Sequence, residues 1–316
     1  MVFQTRFPSY DVASPELARL QEQVLALKRK LGAVIVAHNY QRPEVQDVAD
    51  FVGDSLELAR KCAEIEPNLI VFCGVHFMAE NAAILNPGRP VLLAEISAGC
   101  PMADMCDVPD LKEWRARYPR AAVVCYVNTT AAVKAESDIC CTSANAVKVV
   151  ESLPHEEVLF IPDQHLAGWV ARNTRKKIIA YPGFCVTHRR LTAEQVRQAK
   201  TLHPEAVVLV HPECTAEVQA MADAILSTSQ MVRYCRGSPA STFLIGTEEG
   251  LLYRLKKENP GKTFYVLSPG LLCPNMKRTR LDAVLRTMEL KRNVITIPED
   301  VRLRAKRALD RMLQVV

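Results

Sequence analysis

One succession of features occurs three times along the chain, and this repeat constrains the fold more than any other property. In each copy an apolar strand ends in a polar tip, and a hydroxyl-bearing turn, a second apolar strand and a helical stretch follow. The polar-tipped strands are residues 33–40, 122–128 and 207–213. Each copy closes with a basic residue, a strand and a cysteine, and these three cysteines lie 85 and 88 residues apart. Such a repeat predicts three similar α/β units.

Alternation of β-rich apolar runs with helix-period segments is typical of parallel sheets covered by helices. We therefore predict an α/β fold class with three similar three-layer α/β/α domains around a pseudo-threefold axis, parallel sheets and the active site at the centre. The predicted domains are residues 1–107 with an N-terminal helix, 108–192, and 193–316 with a C-terminal helix. Chance similarity between α/β building blocks of similar length is the alternative explanation of the spacing.

Capping signals predict the two terminal helices. Ser14 followed by a proline and an acid indicates a helix that begins there and continues to about Lys30. Residues Thr296 to Glu299 resemble a capping box, which predicts a last helix that reaches about Leu313. Both helices are expected to be packing elements.

Composition excludes several classes of protein. With 49% hydrophobic residues among 316, the chain is long enough to bury a substantial core. Its apolar runs are far shorter than the ~20 residues of a membrane-spanning helix, and residues 1–10 show no secretory signal, so a cytoplasmic location is expected. The net charge of +5 comes from interleaved residues of both signs, which argues against nucleic acid and is compatible with small anionic substrates.

The eleven cysteines are an odd number, and the sequence contains no C-x-x-C. In a reducing compartment such cysteines are buried residues, reactive thiols or metal ligands. Cys100, Cys185 and Cys273, which close the repeats, stand in loops marked by glycine or proline, where a thiolate could face a metal. Packing in the core is the expectation for the other eight: Cys62, Cys73, Cys106, Cys125, Cys140, Cys141, Cys214 and Cys235.

Three thiolates favour an iron–sulfur cluster or a three-cysteine zinc site. A cubane cluster with only three protein ligands leaves one iron free to act as a Lewis acid on substrate. Three thiolates alone do not distinguish an iron–sulfur cluster from a zinc ion.

Polar residues at the strand ends are candidates for substrate chemistry, because ligands of open parallel sheets bind beyond the carboxyl ends of the strands. His211 and Glu213 combine a base and an acid, and His188 lies three residues after Cys185. His38 and Tyr40 have the same alternate spacing as Tyr126 and Asn128, and the candidate hydroxyls are Ser55, Ser143, Ser227 and Thr228. Structural histidines, a surface His–Glu pair and simple helix caps are the alternatives.

Long motifs spread over nearly the whole chain closely resemble the quinolinate synthase A family of bacterial NAD biosynthesis. They are AHNYQRPEVQDVADFVGDSLELAR (37–60), GVHFMAENAAILNP (74–87), AGCPMADM (98–105), YVNTTAAVKAESDICCTSANA (126–146), PDQHLA (162–167), GFCVTH (183–188), HPEC (211–214), STSQM (227–231), IGTEEGLLYRL (245–255) and CPNMK (273–277).

This resemblance implies a transferase that condenses iminoaspartate with dihydroxyacetone phosphate, with loss of phosphate and water, to form quinolinate. It also implies a 4Fe-4S cluster with one open iron, held by Cys100, Cys185 and Cys273, and transient contact with an enzyme that supplies iminoaspartate. The implied catalytic residues are Glu213, His211, Tyr40, Tyr126 and His188. The implied substrate-binding residues are His38, Ser55, Asn128, Ser143, His211, Glu213, Ser227 and Thr228.

The sequence departs from the family pattern at a few positions. Leu226 replaces the glycine that usually precedes the Ser-Thr pair, and Leu267 and Gly270 replace cysteines that some members carry near the last ligand. The regulatory disulfide of those members is therefore expected to be absent. Arg189 and Arg190 follow His188 where acids are common, which changes the local charge.

Two rival hypotheses remain. The three cysteines could hold zinc in a hydrolase that uses His211 and Glu213 as acid–base partners. A metal or redox sensor would bind a cluster without turnover, but the dense set of polar residues at the strand ends argues against it.

Overall fold

The computed structural model describes residues 14–315, within which the strands form three four-stranded sheets. The first contains β1 (Ala33–His38), β2 (Phe51–Gly53), β3 (Leu69–Cys73) and β4 (Val91–Leu93). The second contains β5 (Ala122–Tyr126), β6 (Ile139–Cys141), β7 (Glu157–Ile161) and β8 (Lys177–Ala180). The third contains β9 (Val207–Val210), β10 (Ala224–Ile225), β11 (Thr242–Gly246) and β12 (Thr263–Val266).

Every strand pair is parallel, and the strand order is the same in all three sheets: β2-β1-β3-β4, β6-β5-β7-β8 and β10-β9-β11-β12. Helices connect the strands, as parallel pairing requires. The predicted α/β fold class and the predicted threefold repeat are both confirmed.

The helices are short on average, and each repeat has one short helix after its first strand. They are α1 (Pro15–Leu31), α2 (Pro43–Val48), α3 (Ser55–Glu64), α4 (His76–Leu85), α5 (Val108–Arg117), α6 (Ala131–Ala135), α7 (Ala146–Glu151), α8 (Gln164–Arg172), α9 (Ala193–Leu202), α10 (Ala216–Gln219), α11 (Thr228–Gly237), α12 (Leu251–Glu258), α13 (Leu281–Leu290) and α14 (Glu299–Gln314). Within residues 14–315, no helix has both the length and the apolarity needed to cross a bilayer.

A recurring aspartate fixes the first two strands of each repeat. It lies just before the second strand, and its carboxylate accepts a backbone N–H from the first strand. The pairs are Asp50 with Ile35, Asp138 with Val123 and Asp223 with Val208, at 2.8, 2.7 and 2.7 Å. Sequence analysis did not identify these aspartates, although they keep the repeat spacing.

The terminal helices differ in how well sequence signals located them. Ser14 caps α1 by accepting the N–H of Leu17, as predicted. The capping box predicted at Thr296 to Glu299 is wrong, because Pro298 occupies the cap position and has no side chain that can accept a hydrogen bond. The helix itself is present and begins at Glu299.

Residues after the third sheet return to the other two sheets. Helix α13 packs on α1 and on strands β3 and β4, and α14 packs on α4, α6 and β6. Ala305, Ala308, Leu309 and Met312 of α14 lie in the core that surrounds the second sheet. The domain boundaries remain a prediction, but the end of the predicted third domain contacts the first two sheets.

Candidate active site

One cavity lies where the carboxyl ends of the three sheets meet, and it holds about 760 Å³ of space including its open mouth. The cavity brings together nearly all the predicted site residues: His38, Tyr40, Ser55, Cys100, Tyr126, Asn128, Ser143, Cys185, His188, His211, Glu213, Thr228 and Cys273.

Exposure separates the cysteines into two groups. Cys100, Cys185 and Cys273 are partly exposed, whereas the other eight are buried, as predicted. Burial is the main cause that raises the pKa of the Cys100 and Cys185 thiols, and smaller contributions come from Cys273 to Cys100 and from Cys100 to Cys185. Each repeat therefore contributes one cysteine to the lining of this cavity.

Each of these cysteines begins the same local turn. Its carbonyl oxygen accepts the N–H of the residue four positions later, and a 3₁₀ turn follows. The donors are Asp104, Arg189 and Lys277, at 3.3, 3.1 and 3.2 Å from the oxygens of Cys100, Cys185 and Cys273. Burial raises the pKa of the Cys100 thiol to about 12, while the backbone N–H of Ala103 acts in the opposite direction.

This donor set fits a metal centre with soft ligands. Cys100, Cys185 and Cys273 all line the cavity, and backbone N–H groups of the turns that follow point at their sulfur atoms. Thiolates of this kind suit an iron–sulfur cluster or zinc, and binding a metal releases the thiol protons. The residues present are therefore compatible with the cluster that the resemblance implies.

Two histidines at the strand ends are oriented in the same way. The N–H of Tyr40 donates to Nδ1 of His38 at 3.2 Å, and the N–H of Glu213 donates to Nδ1 of His211 at 3.3 Å. Since Nδ1 accepts in both rings, Nε2 carries the proton in the neutral form. Nε2 of His211 donates to the Ser143 hydroxyl at 3.2 Å.

A continuous chain of hydrogen bonds connects Tyr40 with Glu213. The Tyr40 hydroxyl lies 2.5 Å from Oγ1 of Thr247, and Oγ1 of Thr247 lies 2.8 Å from Nε2 of His188. Nδ1 of His188 lies 2.7 Å from Oε2 of Glu213, whose Oε1 accepts from the Tyr126 hydroxyl at 2.6 Å. A proton could pass between the two ends of this chain through groups that both donate and accept.

The buried environment fixes the charge states of the site. Burial lowers the pKa of His38 and of His211 to about 3, so both rings are neutral at pH 7. Burial acts to raise the pKa of Glu213, but the nearby His211 and His188 outweigh it and hold the pKa well below its usual value. Burial and the Glu213 charge raise the pKa of Tyr40 and Tyr126. Both phenols therefore keep their protons as donors.

The candidate hydroxyls divide by position. Ser55, Ser143 and Thr228 occupy equivalent places in the repeats and line the cavity. Ser227 instead caps α11 by accepting the N–H of Gln230 at 3.4 Å, and it donates to Asp54 at 3.1 Å. Its contacts match the capping alternative, and its predicted role in substrate binding remains a prediction.

Asn128 provides a free hydrogen-bond acceptor in the cavity, and Leu226 lies where the family usually has glycine. Oδ1 of Asn128 is buried and has no hydrogen-bond partner among the described residues, so it is available to a ligand. Leu226 donates its N–H to Val210 at 2.9 Å and is not among the positive-φ residues of the described chain. The replacement of glycine there therefore introduces no backbone strain.

Sequence analysis missed four residues that support the site. Thr247 completes the hydrogen-bonded chain, and Asp163 accepts the backbone N–H of Cys185 at 3.2 Å. Glu248 accepts the N–H of Cys273 at 3.0 Å and pairs with Lys277. Thr247 and Glu248 directly follow β11, so their place at a strand end was the signal that could have identified them.

Cys185, His188 and Glu213 also lie close enough to suggest a single metal ion, with their ligand atoms within 4.8 Å of one another. Hydrogen bonding already accounts for this proximity. Nδ1 of His188 lies 2.7 Å from the Glu213 carboxylate and 3.2 Å from the Cys185 sulfur. Cys100 and Cys273 line the same cavity as these three residues.

Matches to one family of known proteins extend over almost the whole chain. The family model described as Quinolinate synthetase A protein matches residues 22–314. The quinolinate synthase of Thermodesulfovibrio yellowstonii is 54% identical over 299 residues, which cover 94% of this chain and 99% of that protein. Those of Dehalococcoides mccartyi strain 195 and Methanoregula boonei are also 54% identical, over 94% of this chain and 98% and 99% of those proteins. The chain therefore belongs to the quinolinate synthetase A protein family.

Proposed function

We propose that this chain is a quinolinate synthase of NAD biosynthesis. Its substrates are iminoaspartate and dihydroxyacetone phosphate, and it forms quinolinate with loss of phosphate and water. The names of the relatives support the activity. The cytoplasmic location and transient contact with the enzyme that supplies iminoaspartate stay predictions from the sequence.

One observation carries the proposal. The three partly exposed cysteines open into the same cavity as the histidines, tyrosines, hydroxyls and Glu213 of the strand ends. A site built only to hold a metal has no need of so many groups that bind anions and move protons. This combination favours an enzyme over a sensor.

Cys100, Cys185 and Cys273 would hold a 4Fe-4S cluster in this cavity. When bound, such a cluster supplies an open iron that acts as a Lewis acid toward a substrate oxygen. The site keeps space beside the sulfur atoms, which a closed structural zinc site would not need.

Neutral donors would bind the substrate carboxylates and phosphate. Nε2 of His38, the Asn128 amide and the hydroxyls of Ser55, Ser143 and Thr228 face the cavity from all three repeats. Because these donors are neutral, the carboxylates and the phosphate would be held by hydrogen bonds and not by ion pairs. The buried His211 links Ser143 to the Glu213 loop, which couples binding to the acid–base residues.

Glu213 would act as the general base. Its carboxylate is anionic, it lies on the cavity, and it is held by Tyr126 and His188. Imine–enamine exchange and dehydration each need a proton to leave carbon or nitrogen and another to reach a departing oxygen. The chain from Glu213 through His188 and Thr247 to Tyr40 would return that proton at a second point of the cavity.

The test is an anaerobic assay with dihydroxyacetone phosphate and a source of iminoaspartate, in which quinolinate is measured. We expect turnover, about four iron and four sulfide per chain, and absorbance near about 400 nm. Replacing Cys100, Cys185 or Cys273 by Ala should abolish the absorbance and the turnover. Cys62→Ala is the matched control, since Cys62 is buried in the core, and it should retain both.

Two results would overturn the proposal. One zinc per chain, with no iron, would support the zinc hydrolase instead. A bound cluster without quinolinate formation would support the sensor.

A further inference from the structure

The cysteine loops are fastened to the sheets by one bond that recurs in all three repeats. The backbone N–H of the residue three positions after the third strand donates to the carbonyl two positions before the cysteine. The pairs are His76 with Ala98, Gln164 with Gly183, and Glu249 with Leu271, at 2.8, 2.8 and 2.9 Å. This threefold bond sets a common frame in which the repeats can be compared position by position.

The residue just before each donor differs between repeats. It is Val75 in the first, Asp163 in the second and Glu248 in the third. Oδ2 of Asp163 accepts the N–H of Cys185 at 3.2 Å, and Oε1 of Glu248 accepts the N–H of Cys273 at 3.0 Å. Val75 has no acceptor, so it cannot make this bond to Cys100.

Both carboxylates are fully buried and are held at their other oxygen. Oδ1 of Asp163 accepts the N–H groups of His165 and Leu166 at 2.8 and 2.7 Å. Oε2 of Glu248 accepts the N–H of Gly250 at 2.8 Å, and Nζ of Lys277 lies 2.9 Å from Oε2 and 2.8 Å from Oε1. Each side chain is therefore a rigid link between a helix or loop start and a cysteine backbone.

We propose that Asp163 and Glu248 are positioning residues that fix Cys185 and Cys273 for assembly and retention of the cluster, while Cys100 is held by backbone hydrogen bonds without a carboxylate. The inference rests on the proposed function, because it concerns the group that the three cysteines would hold. Groups that orient ligands in this way typically change metal affinity by about 10–100-fold when they are lost.

The variants Asp163→Asn and Glu248→Gln test the proposal with almost no change in shape. Each keeps one oxygen for the helix or loop start and places an NH₂ group where the cysteine N–H needs an acceptor. Glu248→Gln also removes the charge that pairs with Lys277, so Asp163→Asn is the cleaner of the two tests. After anaerobic reconstitution, an iron chelator is added and the decay of the cluster absorbance at about 400 nm is followed. We expect the half-life of this absorbance to fall about tenfold or more in each variant. Asp104→Asn is the control, because Asp104 is an exposed acid in the Cys100 turn, and its half-life should equal that of the unchanged protein.

Circular dichroism identifies the temperatures at which the unchanged protein and all variants remain folded. Cluster half-lives are compared only at those temperatures, so that loss of the cluster is not confused with loss of the fold. If both variants are folded and keep their clusters as long as the unchanged protein, the proposal is wrong. If the unchanged protein takes up zinc or no metal, the proposed function fails instead, before the variants are compared.

A second measurement needs no variant. In the metal-free protein, hydrogen exchange should be slower at the amides of Cys185 and Cys273 than at that of Cys100, because only the first two N–H groups have a buried carboxylate acceptor. Equal exchange at all three amides would contradict the assignment even if the variants failed to fold.

Discussion

The ends of β1 and β9 occupy equivalent places in the first and third repeats, yet they carry different chemistry. His38 and His211 are held in the same way, each by the N–H of the residue two positions later. That later residue is Tyr40 in the first repeat and Glu213 in the third. The repeat therefore supplies a common frame for the imidazoles, and a single side chain decides whether the strand end presents an acid or a base.

The second repeat has Tyr126 and Asn128 at the same two positions. Its tyrosine donates to Glu213, and its asparagine leaves an acceptor free in the cavity. Three copies of one loop thus face one cavity with three different pairs of groups. The three repeats share one backbone arrangement but present different side chains to the cavity at these two positions.

The largest expected effect comes from removing the group that distinguishes the two strand ends. Glu213→Gln should lower kcat by about 10²–10⁴-fold, the usual contribution of a general base. Tyr40→Phe removes only the far end of the hydrogen-bonded chain and should lower kcat by about tenfold. Quinolinate formation is measured on protein of equal iron content.

Equal losses in the two variants would contradict the division of roles between Tyr40 and Glu213. Cluster content is the control, because Glu213 is near Cys185 through His188. A variant that had lost iron would report on the metal site and not on proton transfer.

The sequence predicted the sheets and the loop positions better than the hydrogen bonds between residues that are distant along the chain. The repeat spacing located the three sheets and the three partly exposed cysteines, and nearly all the polar residues predicted at the strand ends line the cavity, because strand length and loop position are local properties. Thr247 was missed because its role depends on a contact between the third repeat and His188 of the second. Asp163 and Glu248 were missed for the same kind of reason, since each acts on a loop more than 20 residues away along the chain.

Ser227 is a residue that the sequence singled out but whose role the sequence could not decide. A hydroxyl beside Thr228 predicts a cap and a ligand contact equally well, and only the orientation of the α11 start separates the two. The resemblance between Thr296 to Glu299 and a capping box failed because helix initiation was set by Pro298 and not by the hydroxyl pattern.

The pH dependence of stability tests whether His38 and His211 share one environment. Each has a pKa of about 3 in the folded protein, against 6.5 when unperturbed. Between these values the unfolded chain binds more protons, so the free energy of unfolding should decrease as the pH falls below about 6.5. Each histidine contributes up to about 1.4 kcal/mol per pH unit.

His38→Asn and His211→Asn keep an acceptor near the place of Nδ1 and remove the titrating ring. Each should flatten the slope between pH 5 and 6.5 by a similar amount, measured by denaturant unfolding of the metal-free protein. A change in only one variant would show that the two strand ends differ in burial as well as in chemistry. Carboxyl groups away from the two rings titrate alike in the unchanged protein and in the variants, so they cancel in the difference, whereas Glu213 does not cancel in His211→Asn because His211 lowers its pKa.

Lys134 offers a smaller test of the same symmetry. It is fully buried, its Nζ donates to the Thr129 carbonyl, and it lies 5.5 Å from the Phe77 ring. The equivalent residues are Gln46 and Gln219, which make the same type of bond to a loop carbonyl at 2.9 and 2.7 Å.

Lys134→Gln copies the other two repeats and should change the free energy of unfolding by less than about 1 kcal/mol. Lys134→Met leaves the Thr129 carbonyl without its donor and should cost about 1–3 kcal/mol. Denaturant unfolding distinguishes them. Equal destabilisation by both changes would show that the second repeat needs the lysine itself and not just a donor.

The smallest effect separates a cap from a ligand contact at neighbouring positions. Ser227→Ala should cost about 1 kcal/mol of stability through loss of the α11 cap, while kcat and KM stay within about threefold because its hydroxyl bonds Gln230 and Asp54. Ser143→Ala should do the reverse, since Ser143 lines the cavity and accepts from His211. If Ser227→Ala instead raised KM at unchanged stability, the hydroxyl would bind substrate after a change of rotamer. The third repeat would then contribute two adjacent hydroxyl residues to the cavity, as the second does with Thr142 and Ser143.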